Sequence, residues 1–216
     1  MSVSAPEGLH PARISSLCSG PVFGKTVILC DRVDSTNSEL GRMSAGLAEG
    51  AVLLTGRQIE GRGRKGRSWY STAEGSLVFS LLLRPGREAV TLTALLALSA
   101  AGSIESHCDG TRIDIKWPND LFAGGRKLAG ILAESSAGKV VLGMGIDVNE
   151  EPGRFPTGLE ESAVSIRALT GRVHDRGALL ARILDDFGSC YQRWKREGFS
   201  TFGALLERRL LWLGSE

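Results

Sequence analysis

The chain has 216 residues, 42% of them hydrophobic and 23% charged, with a formal net charge of +2. That is enough apolar chain for one main core of ordinary size, and too little net charge for a generic polycation that seeks nucleic acid or a membrane surface. Cys18, Cys30, Cys108 and Cys190 form no CxxC pair, and neither a leader pattern nor an apolar run of about 18 residues is present, so a metal or dithiol centre, export and a membrane span are not expected and a reducing, cytoplasmic setting is.

Residues 1–21 carry Pro6, Pro11 and Pro21 among serines and glycines and read as an irregular lead-in, with one main domain over 22–210. A first strand is predicted at 27–29. Ser35, Thr36 and Asn37 then enter a helix over 38–48 that Ser35 or Thr36 can cap. Strands at 52–55 and 76–83 flank a loop rich in glycine and arginine. Residues 91–107, rich in Ala and Leu and free of Pro, form the best helix of the chain, apolar enough to lie buried against a sheet. In 112–117, alternation assigns Ile113, Ile115 and Trp117 to the core face and Arg112, Asp114 and Lys116 to the other, and Pro118 stops the ladder. Strands at 128–134 and 140–148 form a hairpin through 135–139. A Gly/Pro loop over 151–158 leads into helices at 162–170, 176–196 and 202–210. Strands early and helices late predict an α+β fold, not a regular βαβ alternation.

The most informative segment is Gly61-Arg62-Gly63-Arg64-Lys65-Gly66-Arg67, followed by Ser68-Trp69. From Arg57 to Arg67 there are five basic residues against one acid, Glu60, so the positive charge of the chain is concentrated here. Glycines let backbone N–H groups approach a ligand, and guanidinium forks match phosphate or carboxylate oxygens. By itself such a run is also a solvated face or a nucleic-acid contact. Two further segments accompany it: Lys116-Trp117-Pro118-Asn119-Asp120, and Arg126-Lys127-Leu128-Ala129-Gly130-Ile131-Leu132-Ala133-Glu134.

In that order and spacing, these motifs resemble the catalytic domain of biotin protein ligases, also called biotin–[acetyl-CoA-carboxylase] ligases, from about Asp34 to Asn149 and more weakly to the end. The resemblance implies a class II aminoacyl-tRNA synthetase-like domain, a mixed, largely antiparallel sheet with helices mainly on one face. It implies that biotin and MgATP form biotinyl-5′-AMP, and that the biotinyl group passes to one lysine of a biotin carboxyl carrier domain of acetyl-CoA carboxylase or a related carboxylase. Carboxylate attack on a polyanion needs concentrated positive charge. The reactive anhydride then needs a loop that excludes water.

By the family pattern Ser35, Thr36 and Asn37 line the end of the pocket that holds the ureido ring of biotin, and Gln58 also contacts biotin. Arg62, Gly63 and Arg64 meet biotin and its adenylate, and Lys116 stabilises charge between the biotin carboxylate and the α-phosphate. Arg62, Arg64 and Lys116 are thus the expected catalytic set. Gly130 allows biotin close to the backbone or is a packing glycine. Gly61, Lys65, Arg67, Trp69 and Asn119 belong to the ATP side, with Trp69 either at the loop base or against adenine. Magnesium is assigned to the phosphates of ATP and to no protein cage. Where the family usually has Asn this chain has Asp147, which is therefore left outside the site.

The resemblance also implies a homodimer through an exposed strand edge, and no DNA or membrane partner, since there is no room before Ser35 for a helix-turn-helix domain. Residues 211–216 stand where a small SH3-like C-terminal β-domain would begin. Lipoate or octanoate ligation on a related fold, a weakened biotin-binding remnant, and a nucleic-acid module built on Arg57 to Arg67 are the alternatives.

Overall fold

The computed structural model of the protein describes residues 8–86, 90–108 and 110–211. Seven strands form one sheet: β1 (Val27–Val33), β2 (Val52–Gln58), β3 (Ser76–Leu83), β4 (Asp114–Lys116), β5 (Asp120–Ala123), β6 (Arg126–Ser136) and β7 (Lys139–Asp147). Their order is β1-β2-β3-β7-β6-β5-β4. β1 and β2 run parallel, and every other neighbouring pair is antiparallel. The helices are α1 (Pro11–Leu17), α2 (Thr36–Met43), α3 (Val90–His107), α4 (Ile166–Thr170), α5 (Arg176–Glu197) and α6 (Gly203–Glu207).

One face of the sheet carries the main core. Leu77, Phe79, Leu81 and Leu83 of β3 and Leu142 and Ile146 of β7 pack there with Leu95, Leu96 and Ile104 of α3 and with Leu180, Leu184 and Phe187 of α5. The other face is covered only in part. At one end Leu40 of α2 closes over Leu53, Leu82 and Val141 in a small second cluster. Beyond α2 no helix among the described residues covers this face, and the cavity described below lies there. This asymmetry is the expected arrangement of helices mainly on one face.

Most predicted elements are present. β3 has the predicted bounds and α3 begins one residue earlier. The 135–139 connection is a tight turn with Ala137 at φ 48° and Gly138 at φ 75°, the left-handed pair that suits the twist of a two-residue hairpin. Three expectations need correction. The lead-in is not wholly irregular: Pro11 opens α1, a position where its missing N–H costs nothing, and Leu9 and Ile14 are fully buried in the main core. Trp117 is not core; β4 ends at Lys116, the next residues turn toward β5, and Trp117 is 51% exposed. β5 itself was not predicted, being four residues long directly after the turn. Of the segment 211–216, only Leu211 is described, and 212–216, like 1–7, lie outside the described residues.

Candidate active site

A cavity of about 450 Å³ opens on the half-covered face. Its floor follows from strand register. Lys116 pairs with Asp120, Asp120 with Gly130, Gly130 with Gly145, and Gly145 with Val78. Residues paired across strands point to the same face, so four positions spread over residues 116–145 of β4 to β7, together with Val78 of β3, form one straight row. The adjacent row joins Leu132, Gly143 and Ser80. Lys116 stands at the β4 end, where its Nζ lies 5.2 Å from the centre of the Phe122 ring.

The glycines of the floor are there because other side chains occupy their space. A Cβ on Gly145 would overlap the Trp69 indole, and one on Gly143 would overlap Asn37 Oδ1. At Gly130 a Cβ would stand 3.0 Å from Trp69, so Trp69 fills the room that this glycine leaves. Trp69 also lies beneath Lys127, whose Nζ is 5.5 Å from the ring centre. Its buried Nε1 has no hydrogen-bond partner among the described residues.

At the α2 end the polar residues are tied to one another. Gln58 Oε1 accepts from the Thr36 backbone N–H at 2.9 Å. Ser80 Oγ lies 2.8 Å from Thr36 Oγ1 and 2.6 Å from Asn37 Oδ1. Asn37 Nδ2 donates to the Leu132 carbonyl at 3.1 Å and to Glu134 at 2.8 Å. Ser35, the N-cap of α2, makes no side-chain capping bond, so its hydroxyl lines the cavity without the alternative capping duty.

The Gly/Arg segment forms a small closed hairpin. Gly63 N–H donates to the Arg67 carbonyl at 2.7 Å, Trp69 N–H donates to Gly61 at 2.8 Å, and Arg62 bridges Ser68. Its tip is a short 3-10 turn, Arg64–Gly66, in which Lys65 (φ 57°) and Gly66 (φ 72°) are both left-handed; glycine adopts this at no cost and lysine does not. Arg62 Nη2 donates to Ser38 Oγ at 2.8 Å and to Glu134 at 3.1 Å, and Arg64 Nη1 donates to Asn119 Oδ1 at 2.9 Å. The hairpin is thereby fastened to both walls of the cavity.

Of the predicted site residues, the cavity brings together Ser35, Thr36, Asn37, Gln58, Arg62, Gly63, Arg64, Arg67, Trp69, Lys116, Asn119 and Gly130. Two stand outside it. Gly61 is buried at the hairpin base, where a Cβ would overlap the Trp69 carbonyl, and Lys65 faces a separate outer depression of about 340 Å³.

Three contributors escaped the sequence reading. Ser80, fully buried, braces Thr36 and Asn37 from below; its signal was a lone hydroxyl in the apolar run of β3. The apolar lining includes Val78, Ile131, Leu132 and Met144. Asp147 lines the cavity at 5% exposure, contrary to its exclusion from the site. Burial, and next the nearby Glu150 charge, push its carboxyl well above the usual range against an opposing effect of Lys127, and its Oδ1 has no hydrogen-bond partner among the described residues. Asp147 is therefore pushed toward its neutral form, which weakens the negative charge that a carboxylate would add at this position. Glu150 is also buried, but it is supplied with donors by Thr72 Oγ1 at 2.6 Å and Ser76 Oγ at 3.0 Å.

The cavity thus combines an apolar floor, a neutral polar end at α2 and a cationic rim, suited to a molecule with a neutral hydrogen-bonding head, an apolar body and an anionic end. Residues 29–149 match the Biotin/lipoate A/B protein ligase family. A bifunctional ligase/repressor BirA of Bacillus subtilis is 32% identical across 99% of this chain and 68% of its own length. A biotin–[acetyl-CoA-carboxylase] ligase of Paracoccus denitrificans is 35% identical across 80% of this chain and 73% of its own. Among solved structures, the biotin protein ligase of Aquifex aeolicus in complex with biotin and ATP superposes with a TM-score of 0.81 at 33% identity, covering 88% of this chain and 80% of that one. By motif order, by the match over residues 29–149 and by a shared class II synthetase-like fold, the chain belongs to the biotin/lipoate protein ligase family, among its biotin ligases.

Proposed function

We propose that this chain ligates biotin to a lysine of a carboxyl carrier protein in two steps driven by ATP. The single observation that carries the reading is the register row that sets Lys116 in line with the glycine floor, beneath a hairpin whose Arg62, Arg64 and Arg67 rim the same cavity.

In the first step a biotin carboxylate oxygen attacks the α-phosphorus of ATP, a new P–O bond forms, and the bond to the β-phosphate oxygen breaks to release pyrophosphate. The attack brings one anion onto another. Lys116 is assigned to the oxygens shared between carboxylate and α-phosphate, where its charge offsets the repulsion and stabilises the transition state. Arg62 and Arg64 are assigned to the adenylate, with Arg67 and Asn119 toward the phosphates. Trp69 is assigned to the boundary between biotin and nucleotide, which its position over Gly130 and Gly145 supports. Ser35, Thr36, Asn37 and Gln58 are assigned to the ureido ring. In the second step the lysine amine attacks the acyl carbon, AMP leaves with the anhydride oxygen, and the amine loses its proton to form an amide. The hairpin excludes water between the two steps.

Magnesium enters this scheme as a companion of the ATP phosphates. The residues at hand do not suit a resident cation: Asp120 is paired with Lys127 at 2.9 Å and accepts from Asn119 Nδ2, and Asp147 is buried and held toward neutrality. No step is assigned to the ion.

The carrier is proposed to be that of acetyl-CoA carboxylase or a related carboxylase, and the compartment the cytoplasm, which four cysteines left as thiols support. Among the described residues no helix is long and apolar enough to cross a membrane, and no DNA-binding role is proposed. For self-association through an edge, β1 is the candidate: along β4 the outer side already bonds to the chain near the C-terminus, with Ile115 N–H donating to the Arg209 carbonyl at 2.6 Å and Leu211 N–H donating to Ile115 at 2.8 Å.

The decisive experiment measures pyrophosphate release from MgATP with and without biotin, followed by transfer to a biotin-acceptor domain. Biotin-dependent release and transfer are expected. Biotin binding without release would reduce the chain to a binding protein, and preference for lipoate over biotin would overturn the substrate assignment.

A further inference from the structure

Glu134 stands on β6 one cross-strand row beyond Leu132, paired with Val141. It borders two outer depressions, of about 260 and 340 Å³, and is not among the residues that line the main cavity. Yet one of its carboxylate oxygens, Oε2, receives both Asn37 Nδ2 at 2.8 Å and Arg62 Nη2 at 3.1 Å. We propose that Glu134 is a positioning residue that sets the polar end of the pocket and the cationic hairpin together through that shared oxygen. The proposal rests on the biotin ligase reading for what the pocket and hairpin do, and on geometry alone for what Glu134 does to them.

The Asn37 side of the contact fixes a direction. Asn37 is 5% exposed, and its amide has Leu132 and Glu134 acceptors on one side and the Ser80 hydroxyl on the other. An amide turned end for end would bring its oxygen against two acceptors, one of them charged, which is costly in a buried setting. Glu134 therefore reinforces, with its charge and beside the Leu132 carbonyl, which atom of Asn37 faces which neighbour, and with it the orientation of the Asn37–Ser80–Thr36–Gln58 network.

The Arg62 side fixes a position. Arg62 lies at the start of the hairpin, four residues after β2 ends, where it bridges Ser68, and its Nη2 is held between Ser38 of α2 and Glu134 of β6. Both ion-pair partners are close to half exposed, at 46% and 40% of their side-chain surface. A pair so open to water contributes little to global stability. Its effect is local: it selects one of the many orientations of a long side chain at the hinge of the hairpin. Glu134 thus links two parts of the site that are 25 residues apart in sequence at Asn37 and Arg62, without reaching the substrate.

The test uses Glu134→Gln, which keeps the shape and removes the charge, and Glu134→Ala as a second variant. Hydrogen exchange is first measured without biotin or ATP at the amides of Gly63 and Trp69, whose bonds close the hairpin. Exchange about fivefold faster at both is expected, with the amides of β3 and β7 unchanged and the melting temperature within about 2 °C. Release of biotinyl-5′-AMP, chased with unlabelled biotin and ATP, is expected to be about tenfold faster, with the single-turnover rate of adenylate formation within about threefold of the parent. In an Arg62→Ala background, Glu134→Gln is expected to add less than about twofold to release, because the two residues act as one unit. Unchanged hairpin exchange would overturn the proposal, as would fully additive release rates or faster exchange spread through the whole sheet. If the parent protein makes no adenylate, the ligase reading fails by itself, and the exchange measurement still decides the role of Glu134.

Discussion

Arg64 and Asn119 meet across the mouth of the cavity, Nη1 to Oδ1 at 2.9 Å, and so join the tip of the cationic hairpin to the turn that follows β4. Asn119 is held in turn by Asp120 Oδ1 at 2.9 Å and by the Ile131 carbonyl at 3.3 Å. The contact ties the hairpin to a braced part of the sheet. Replacing Arg64 by Gly removes it and makes the hairpin more flexible. Release of the adenylate should accelerate by about tenfold, the size of one lost hydrogen bond to a charged group. Filter-retained label after an unlabelled chase measures the rate, and an unchanged rate would count against a retaining role for the hairpin.

Lys116→Ala should separate chemistry from binding. If Lys116 acts where charge develops, adenylate synthesis should fall by about a hundredfold or more while biotin affinity changes by less than about tenfold. Pyrophosphate release under single-turnover conditions and calorimetric titration with biotin report the two quantities. Near-normal synthesis would remove Lys116 from the assigned role.

Ser80→Ala leaves Thr36 Oγ1 and Asn37 Oδ1 without their shared buried partner. The expected cost is about 1–3 kcal/mol of stability, together with weaker biotin binding. Urea unfolding and biotin titration check it. A stability loss with biotin affinity unaltered would make Ser80 a core residue only.

Asp147→Asn tests the buried carboxyl. A carboxyl whose folded pKa is raised holds its proton in the folded state at pH values where the unfolded chain has lost it. Stability then declines as pH rises from the ordinary carboxylate range toward the folded value. The asparagine variant cannot ionise, so its melting temperature should exceed that of the parent by several degrees near pH 7, with the difference shrinking toward pH 4. Thermal melts across that range decide it; a constant difference would mean that ionisation of Asp147 is not responsible.

Motif and fold were legible in the sequence to different depths. β3 and α3 were readable because each buries a long apolar run, and the Gly/Arg hairpin because few structural roles need three glycines among four cations. Trp117 was misread because alternation was carried one residue past the end of β4, where the turn toward β5 releases the side chain to solvent. α1 was missed because prolines and serines looked irregular, although Pro11 suits the first turn of a helix and Leu9 and Ile14 supply the buried anchors. Ser80 and Glu134 could be seen only after folding. Their importance comes from cross-strand pairing and from contacts spanning 43 and 97 residues, to Asn37 in each case, and no local pattern encodes such distances. Asp147 stands out in the sequence as a departure, but the upward push on its carboxyl comes from burial that the sequence does not print.

β7 is bonded on both flanks, to β3 from Ser76 to Leu83 and to β6 from Ala129 to Ser136. Opening it would mean breaking two ladders at once, so the glycine floor belongs to the last part of the protein to yield. The walls have no such protection, being fastened by a few side-chain bonds from Arg62, Arg64 and Asn37. A variant selected to accept a longer or bulkier acid should therefore accumulate its changes in the hairpin and the start of α2. Substitutions at Gly143 or Gly145 would be tolerated only alongside a smaller residue at Asn37 or Trp69, since each glycine and its opposing side chain occupy a single shared volume.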